Sequence, residues 1–299
     1  GGVARAITTH ESHDFMPVWS KDGSQIAFAS NRFGNYDVFV MPSKGGIAKR
    51  LTFHSNNDYP HSFTNSNKIL FTSARTDSHL NTQFPSGRLP ELYSVDLANN
   101  LTQVLTTPAE DAQWNANETN LVYHDKKGYE DMWRKHHTSS IARDIWLYDA
   151  GSKTHEKLTD FHGEDRTPIW NSNENTIFYL SEESGSFNVY ELNVKSKTKT
   201  QLTDFKKHPI RFLSSSNANT LCFGYNGEIY TMIAGGKPRK VGVEIYSDLD
   251  FNSVEKMNVN GNVSEVTYSP NGKEIAFIAR GEVFVSSVDY KQTKQITDT

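Results

Sequence analysis

Apolar and polar positions along this chain alternate in short runs, and the runs recur. The first stretch reads Pro17-Val18-Trp19-Ser20-Lys21-Asp22-Gly23, then Ile26-Ala27-Phe28-Ala29-Ser30-Asn31-Arg32, Asp37-Val38-Phe39-Val40, Gly45-Gly46 and Leu51-Thr52. A second copy carries Asp58-Tyr59-Pro60, Ile69-Leu70-Phe71-Thr72-Ser73-Ala74-Arg75, Glu91-Leu92-Tyr93 and Leu105-Thr106. A third has Trp114-Asn115, Leu121-Val122-Tyr123, Asp144-Ile145-Trp146 and Leu158-Thr159; a fourth has Asp165, Pro168-Ile169-Trp170-Asn171, Ile177-Phe178-Tyr179-Leu180-Ser181, Val189-Tyr190 and Leu202-Thr203. The fifth is worn, with His208-Pro209, Leu221-Cys222-Phe223, Glu228-Ile229-Tyr230 and Gly235-Gly236. The sixth recovers the pattern from Tyr268-Ser269-Pro270-Asn271-Gly272 to Ile296-Thr297.

Each copy holds four runs of β-branched and aromatic residues separated by Gly, Asn, Asp and Ser, with no helical period between them. Asp22-Gly23 and Asn271-Gly272 suit hairpins that need positive φ. One four-stranded unit cannot bury both of its faces, whereas a radial array lets each sheet cover the next. The expected fold is therefore all-β, a β-propeller of four-stranded antiparallel blades, six in number. Residues 1–243 are expected to form the propeller, with 1–8 an orphan outer strand before five repeats. Residues 244–262 form a long connection, and 263–299 a sixth repeat that either closes the ring or opens a second propeller. Gly1-Gly2 and Ile7-Thr8 match the end of a repeat, so we expect a piece of a longer parent whose targeting segment is absent. The compartment, bacterial periplasm or cytoplasm, stays open.

Composition changes this picture little. The chain has 299 residues with 36% hydrophobic, 12% aromatic and 22% charged, and a formal net charge of -4. Both signs are interspersed, so neither nucleic acid nor a membrane is an expected partner. The single cysteine, Cys222, sits in an apolar run and reads as a buried strand thiol; no disulfide framework or thiolate metal site follows from it.

Candidate chemistry lies on one face. In a blade, the connection entering the first strand and the loop between the second and third strands emerge at the same end. Both long insertions are of the latter kind: 76–90, with His79, Phe84, Pro85 and Arg88, and 126–143, with Tyr129, Glu130, Asp131, Met132, Trp133, Arg134, His136 and His137. The polar elbows on that face are His10 to Asp14, Asn56 to Asp58, Glu110-Asp111, Gly163 to Asp165, and His208. The candidates for a channel-mouth or peptide-binding role are Asp14, Asp58, Asp165, His208, His13, His61, Trp133 and Arg134. Asp14, Asp58 and Asp165 suit a cation or a peptide amino group; the preferred reading has each accepting backbone N–H bonds at its elbow. Asn31-Arg32 and Ala74-Arg75 are expected to make inter-blade contacts, and His136-His137 to be a solvated loop. His10-Glu11-Ser12-His13 is a loop sequence without the helical spacing of a zinc site. No Gly-x-Ser-x-Gly elbow and no phosphate loop occurs. Catalytic residues, metal and cofactors are all expected to be none.

The run from Ser20 to Phe39 resembles the repeat of TolB-like propellers. The insert Lys127-Gly128-Tyr129 to Trp146 and the stretch Asn262 to Phe284 resemble the N-terminal propeller, and the start of the next one, in tricorn-like serine peptidases. The resemblance spans essentially the whole chain. It implies a parent with two propellers, a PDZ-type domain and a C-terminal serine peptidase domain. This part would be non-catalytic and would gate or dock peptides, with peptides or a protein partner, and the parent's further domains, as its contacts. The alternatives are a TolB-like protein-binding scaffold and a propeller enzyme with an acidic channel-mouth site.

Overall fold

The computed structural model describes residues 2–75, 89–129, 131, 133–246, 261–290 and 292–297. The expected contributions of His79, Phe84, Pro85 and Arg88 therefore lie outside the described residues, as do Glu130, Met132 and most of the connection after Tyr246. The chain divides into two compact units, Gly1–Tyr246 and Ser247–Thr299.

Among its described residues the first unit contains five four-stranded antiparallel sheets, each with its strands in sequence order. Blade one runs through Asp14–Trp19, Gln25–Ser30, Asp37–Pro42 and Lys49–Arg50. Blade two follows with Asp58–Phe63, Ile69–Ser73, Glu91–Val95 and Leu101–Leu105. Blade three comprises Ala109–Trp114, Asn120–Asp125, Ile145–Asp149 and Thr154–Lys157. Blade four is Asp165–Trp170, Thr176–Ser181, Asn188–Asn193 and Lys199–Gln201, and blade five Ile210–Ser215, Thr220–Tyr225, Glu228–Ile233 and Arg239–Lys240. First strands of successive blades pack against each other, so they are the inner strands. The short segment Gly2–Ala4 pairs in parallel with Val243–Ile245. The second unit contains one four-stranded sheet, Val263–Tyr268, Glu274–Ala279, Glu282–Ser287 and Thr293–Gln295, whose first strand is exposed along its length.

The blades stack through apolar faces that the sequence repeats. Ala27, Val38 and Val40 of blade one meet Phe63, Phe71 and Tyr93 of blade two in one cluster. Three further clusters join blades two to three, three to four and four to five. Second strands of blades one to four are buried on both sides, as in Ile69–Ser73, while outer strands such as Thr154–Lys157 are exposed and polar. This gradient explains the solid apolar runs in mid-repeat and the charged ends.

The recurring Leu-Thr closes blades one, three and four by hydrogen bonding. In blade four the Val189 N–H donates to Thr203 Oγ1 at 2.9 Å, and that hydroxyl donates to Asn188 Oδ1 at 2.9 Å. Leu202 N–H donates to the Val189 carbonyl at 2.8 Å. The same contacts recur at Val38 with Thr52 and at Val283 with Thr297. At the other end of the blades, the Ser20-Lys21-Asp22-Gly23 turn is closed by Ser20 Oγ donating to Asp22 at 2.6 Å, with Gly23 at φ 73°. These turns also touch each other. Asn65 donates to the Ala116 carbonyl, Ala116 N–H to Glu174, Ser172 N–H to Asn219, and Asn217 to the Lys21 carbonyl at 3.0 Å. The last of these links blade five back to blade one.

Cys222 lies on a strand as expected but is half-buried, and burial pushes its thiol pKa up.

Candidate functional site

Every inner strand is interrupted by a bulge, between Phe15 and Val18, Pro60 and Ser62, Glu110 and Gln113, Arg166 and Ile169, and Arg211 and Ser214. At four of them the bulge residue has a positive φ: Met16, Asp111, Thr167 and Phe212. A positive φ at a β-branched threonine is strained, and bulges re-aim side chains. The residues at and beside these bulges differ from blade to blade, and they meet across blade boundaries.

Blades two, three and four converge on Asp111. His61 Nδ1 lies 3.7 Å and His124 Nδ1 3.6 Å from its two carboxylate oxygens, and Thr167 Oγ1 donates to it at 2.8 Å. Burial opposes the charge on Asp111, but hydrogen bonding and charge from the histidines outweigh it and hold the carboxyl well below its usual range. Its neighbour Glu110 is half-buried like it, and there too burial opposes the charge, yet His124 and Lys126, whose Nζ lies at 2.7 Å, hold it low in the same way. Glu164 accepts from Arg143 at 2.6 Å and from Arg166 at 3.0 Å, and approaches His137 at 3.3 Å. These charges are arranged as matched pairs. Among the described residues no group of three or more His, Cys, Asp or Glu is placed to hold a metal ion.

The 126–143 insert leaves blade three and lands on blades four and five. His136 N–H donates to the Glu182 carboxylate at 2.9 Å, and Arg211 donates to the Trp133 carbonyl at 3.1 Å. The Arg211 guanidinium sits 4.8 Å from the Trp133 ring centre, and Phe212 meets that ring edge-on at 6.1 Å. Trp133 and Phe212 nonetheless remain 58% and 66% exposed. A second aromatic group lies at blades one and two. His13 stacks on Phe15 at 5.1 Å, Phe15 contacts Tyr36 and Tyr59, and His13 Nδ1 is 2.9 Å from the Tyr36 hydroxyl.

The candidates read from the sequence are thus dispersed. His61 belongs to the Asp111 group, His13 to the aromatic group, and Trp133 to the insert's seat; Arg134 is exposed beside it. His208 is half-buried, 5.9 Å from the Tyr225 ring. Asp14 and Asp58 do not accept the elbow N–H bonds expected of them. They pair with Arg32 at 3.1 Å and Arg75 at 2.5 Å, two residues beyond the second strand of the same blade. The expected inter-blade role of Arg32 and Arg75 is corrected accordingly. Each arginine spans its own blade, because its guanidinium rests on that blade's aromatic pair, Phe28 and Phe39 or Phe71 and Tyr93. His137 is also corrected: it is buried against Glu164 and Ser139, not solvated. Asp165 is buried and pairs with no cation among the described residues. Asp111 was placed on this face as a polar elbow but not among the candidates, and His124, Arg211 and Phe212 were missed. The available signal was that Glu110-Asp111 and Arg211-Phe212 occupy the slot filled by Phe15-Met16 in the first repeat.

A family model described as the tricorn protease N-terminal β-propeller domain matches residues 1–237. The chain belongs to that family. A tricorn protease homolog of Saccharolobus solfataricus is 25% identical over 280 residues, covering 91% of this chain and 23% of that protein. Tricorn protease homolog 1 of Streptomyces coelicolor is 23% identical over 264 residues, covering 82% and 22%. The chain therefore spans about a quarter of the length of the curated relatives it matches. A crystal structure of the tricorn protease superposes with a TM-score of 0.73 at 17% identity, over 98% of this chain and 28% of the other. TolB from Acinetobacter baumannii superposes at 0.60 and 17% identity, over 78% and 55%. These likenesses show that the tricorn-type sequence adopts the β-propeller fold shared with TolB.

Proposed function

We propose that this chain is the non-catalytic propeller part of a tricorn-like serine peptidase, and that it docks or gates peptides on the face carrying the inner-strand bulges and the 126–143 insert. The observation that supports this most directly is the insert's seat. A blade-three segment lies over blades four and five, and leaves Trp133 and Phe212 exposed beside charged Arg211. Exposed aromatics next to an arginine form the kind of patch on which extended chains and protein partners gain most of their binding energy. Matched charges at Glu110, Asp111 and Glu164 suit a surface that orients a ligand more than one that turns it over. The alternative enzyme reading needs paired carboxyls free to take up a proton or a metal; Asp14 and Asp58 are already occupied by arginines, which leaves Asp165 alone of the three.

We further infer that residues 263–299 open a following propeller. The family match ends at residue 237, and the first strand of this last sheet is exposed throughout.

The test is direct. Mixed-sequence peptides titrated into the purified chain should bind without being cleaved. Replacing 127–143 by a short glycine-serine link should weaken that binding several-fold while thermal unfolding stays cooperative. Hydrolysis of the peptides by the purified chain would overturn the proposal. Unchanged peptide binding, with loss of a folded partner instead, would favour the TolB-like scaffold reading.

A further inference from the structure

Blades one, two and four share one local design, and blade four lacks one part of it. In blades one and two the second strand ends in a serine, Ser30 or Ser73, and an arginine follows two residues later. That arginine donates through Nε to the serine hydroxyl, at 2.9 Å in blade one and 3.1 Å in blade two. Its NH2 group reaches the aspartate that begins the inner strand, Asp14 or Asp58. Its guanidinium lies against one aromatic ring from the second strand and one from the third, 4.6–5.6 Å from the ring centres.

Blade four keeps every acceptor of this arrangement. Asp165 begins its inner strand, Ser181 ends its second strand, and Tyr179 and Tyr190 occupy the two aromatic positions with ring centres 5.8 Å apart. The loop from Ser181 to Asn188 has the same length and turn pattern as that from Ser30 to Asp37, with Gly185 and Gly34 both at positive φ. In that alignment the arginine's place is taken by Glu183. Its carboxylate points away to Lys199 Nζ, at 2.6 Å.

A cavity of about 360 Å³ has Asp165 and Tyr179 in its wall, together with Thr159, Lys157, Lys197 and Lys199. Asp165 is 1% exposed, and its Oδ1 has no hydrogen-bond partner. Asp58 Oδ1 is equally orphaned in blade two, but there the other oxygen takes Arg75. The lysines around the cavity do not make it a cation-repelling site, because each is already matched. Lys157 pairs with Asp144 at 3.0 Å, Lys197 with Glu156 at 2.6 Å and Lys199 with Glu183. Burial pushes the Asp165 carboxyl up to about 7, with the Ser181 and Thr159 hydroxyls drawing it partly back. A buried carboxylate with no counter-ion is held at a cost that an entering cation removes.

We propose that this cavity is a recognition slot for an arginine side chain supplied from outside the fold, held by Asp165 and the Tyr179 ring in its wall, with Ser181 and Tyr190 behind them at the positions that complete the arrangement in blades one and two. Arginine fits better than lysine because the slot offers the Asp165 carboxylate beside a ring face, Tyr179, with the Thr159 hydroxyl in the same wall, which a planar guanidinium satisfies together and an ammonium does not. The peptide-docking reading bears only on the source of the arginine, a residue of a docked chain.

The experiment titrates the full 299-residue chain at pH 8 with N-acetyl-arginine methylamide, following amide resonances of residues 181–188 and the heat of binding. N-acetyl-citrulline methylamide and N-acetyl-lysine methylamide serve as the neutral and ammonium controls. The arginine probe should shift these resonances and bind at least about tenfold more tightly than citrulline, the loss expected when a charge-assisted pair is removed. Asp165→Asn should abolish the preference. Glu183→Arg should restore the internal arginine of blades one and two, raise the unfolding temperature and abolish binding. Glu183→Arg keeps the test open if the Asp165 variant does not fold. Equal binding of citrulline, retained binding in folded Glu183→Arg, or no binding of the arginine probe would each overturn the slot. The two proposals fail separately. Peptide binding that is indifferent to arginine content sinks the slot alone, whereas arginine binding without peptide binding sinks only the docking reading.

Discussion

A carboxyl sealed beside two tyrosines, with no positive partner, holds its proton more tightly than it would in water. For Asp165 burial raises the folded pKa to about 7, against roughly 3.9 in an unfolded chain. The stabilising effect is therefore complete below about pH 4, is lost as pH rises toward 7, and levels off as a fixed penalty above it. Asp165→Asn should remove this slope, so the variant should gain on the order of a few kcal/mol over the parent at pH 8 and little at pH 4. Urea unfolding at the two pH values measures the difference; a gain that is equal at both would refute the assignment. Asp37, pushed up to about 6 by burial against the pull of Arg50, contributes a slope of the same sign that the variant keeps. Binding of a guanidinium to Asp165 runs the opposite way and should weaken as pH falls below about 7.

At the scale of the blade, stability rests on a closure that recurs with small substitutions. Thr203 Oγ1 both accepts from Val189 and donates to Asn188, whose side chain also accepts the Phe205 N–H at 2.7 Å. Thr203→Val keeps the shape, strands the buried Val189 amide and removes one of the two donors on Asn188 Oδ1, so it should cost about 1–3 kcal/mol in urea unfolding. A loss under a few tenths would show that the motif is decorative. The closure also shows why the blades were legible in sequence. Leu51-Thr52, Leu158-Thr159 and Leu202-Thr203 act within one blade, so their spacing carries the contact. The bulges were not legible in the same way. Whether Thr167 turns toward Asp111 depends on a positive φ and on a neighbour 56 residues away. The same distinction governs the aspartates. Reading what the repeats share selected Asp14, Asp58 and Asp165 together, whereas only the residue that blade four does not share, Glu183 in place of an arginine, separates the third from the other two.

For the whole molecule, the separation into Gly1–Tyr246 and Ser247–Thr299 has a testable consequence. A chain shortened to residues 1–246 should fold, with an unfolding temperature within a few degrees of the full chain and an amide spectrum that overlays for blades one to five. A molten spectrum would mean that the last sheet is part of the same cooperative body. Within residues 1–246, four apolar clusters bind each blade to the next, and each joins segments close in sequence. The parallel pair of Gly2–Ala4 with Val243–Ile245 is of another kind. It joins the two extremities of that body through three residue pairs that are exposed to solvent. Bringing such distant segments together carries the largest entropy of loop closure in the unit, and few apolar contacts reward it. Assembly should run blade upon blade and finish at this pair. Under mechanical or thermal strain the body has a built-in first point of parting, at a seam where blades one and five separate before either loses its own sheet.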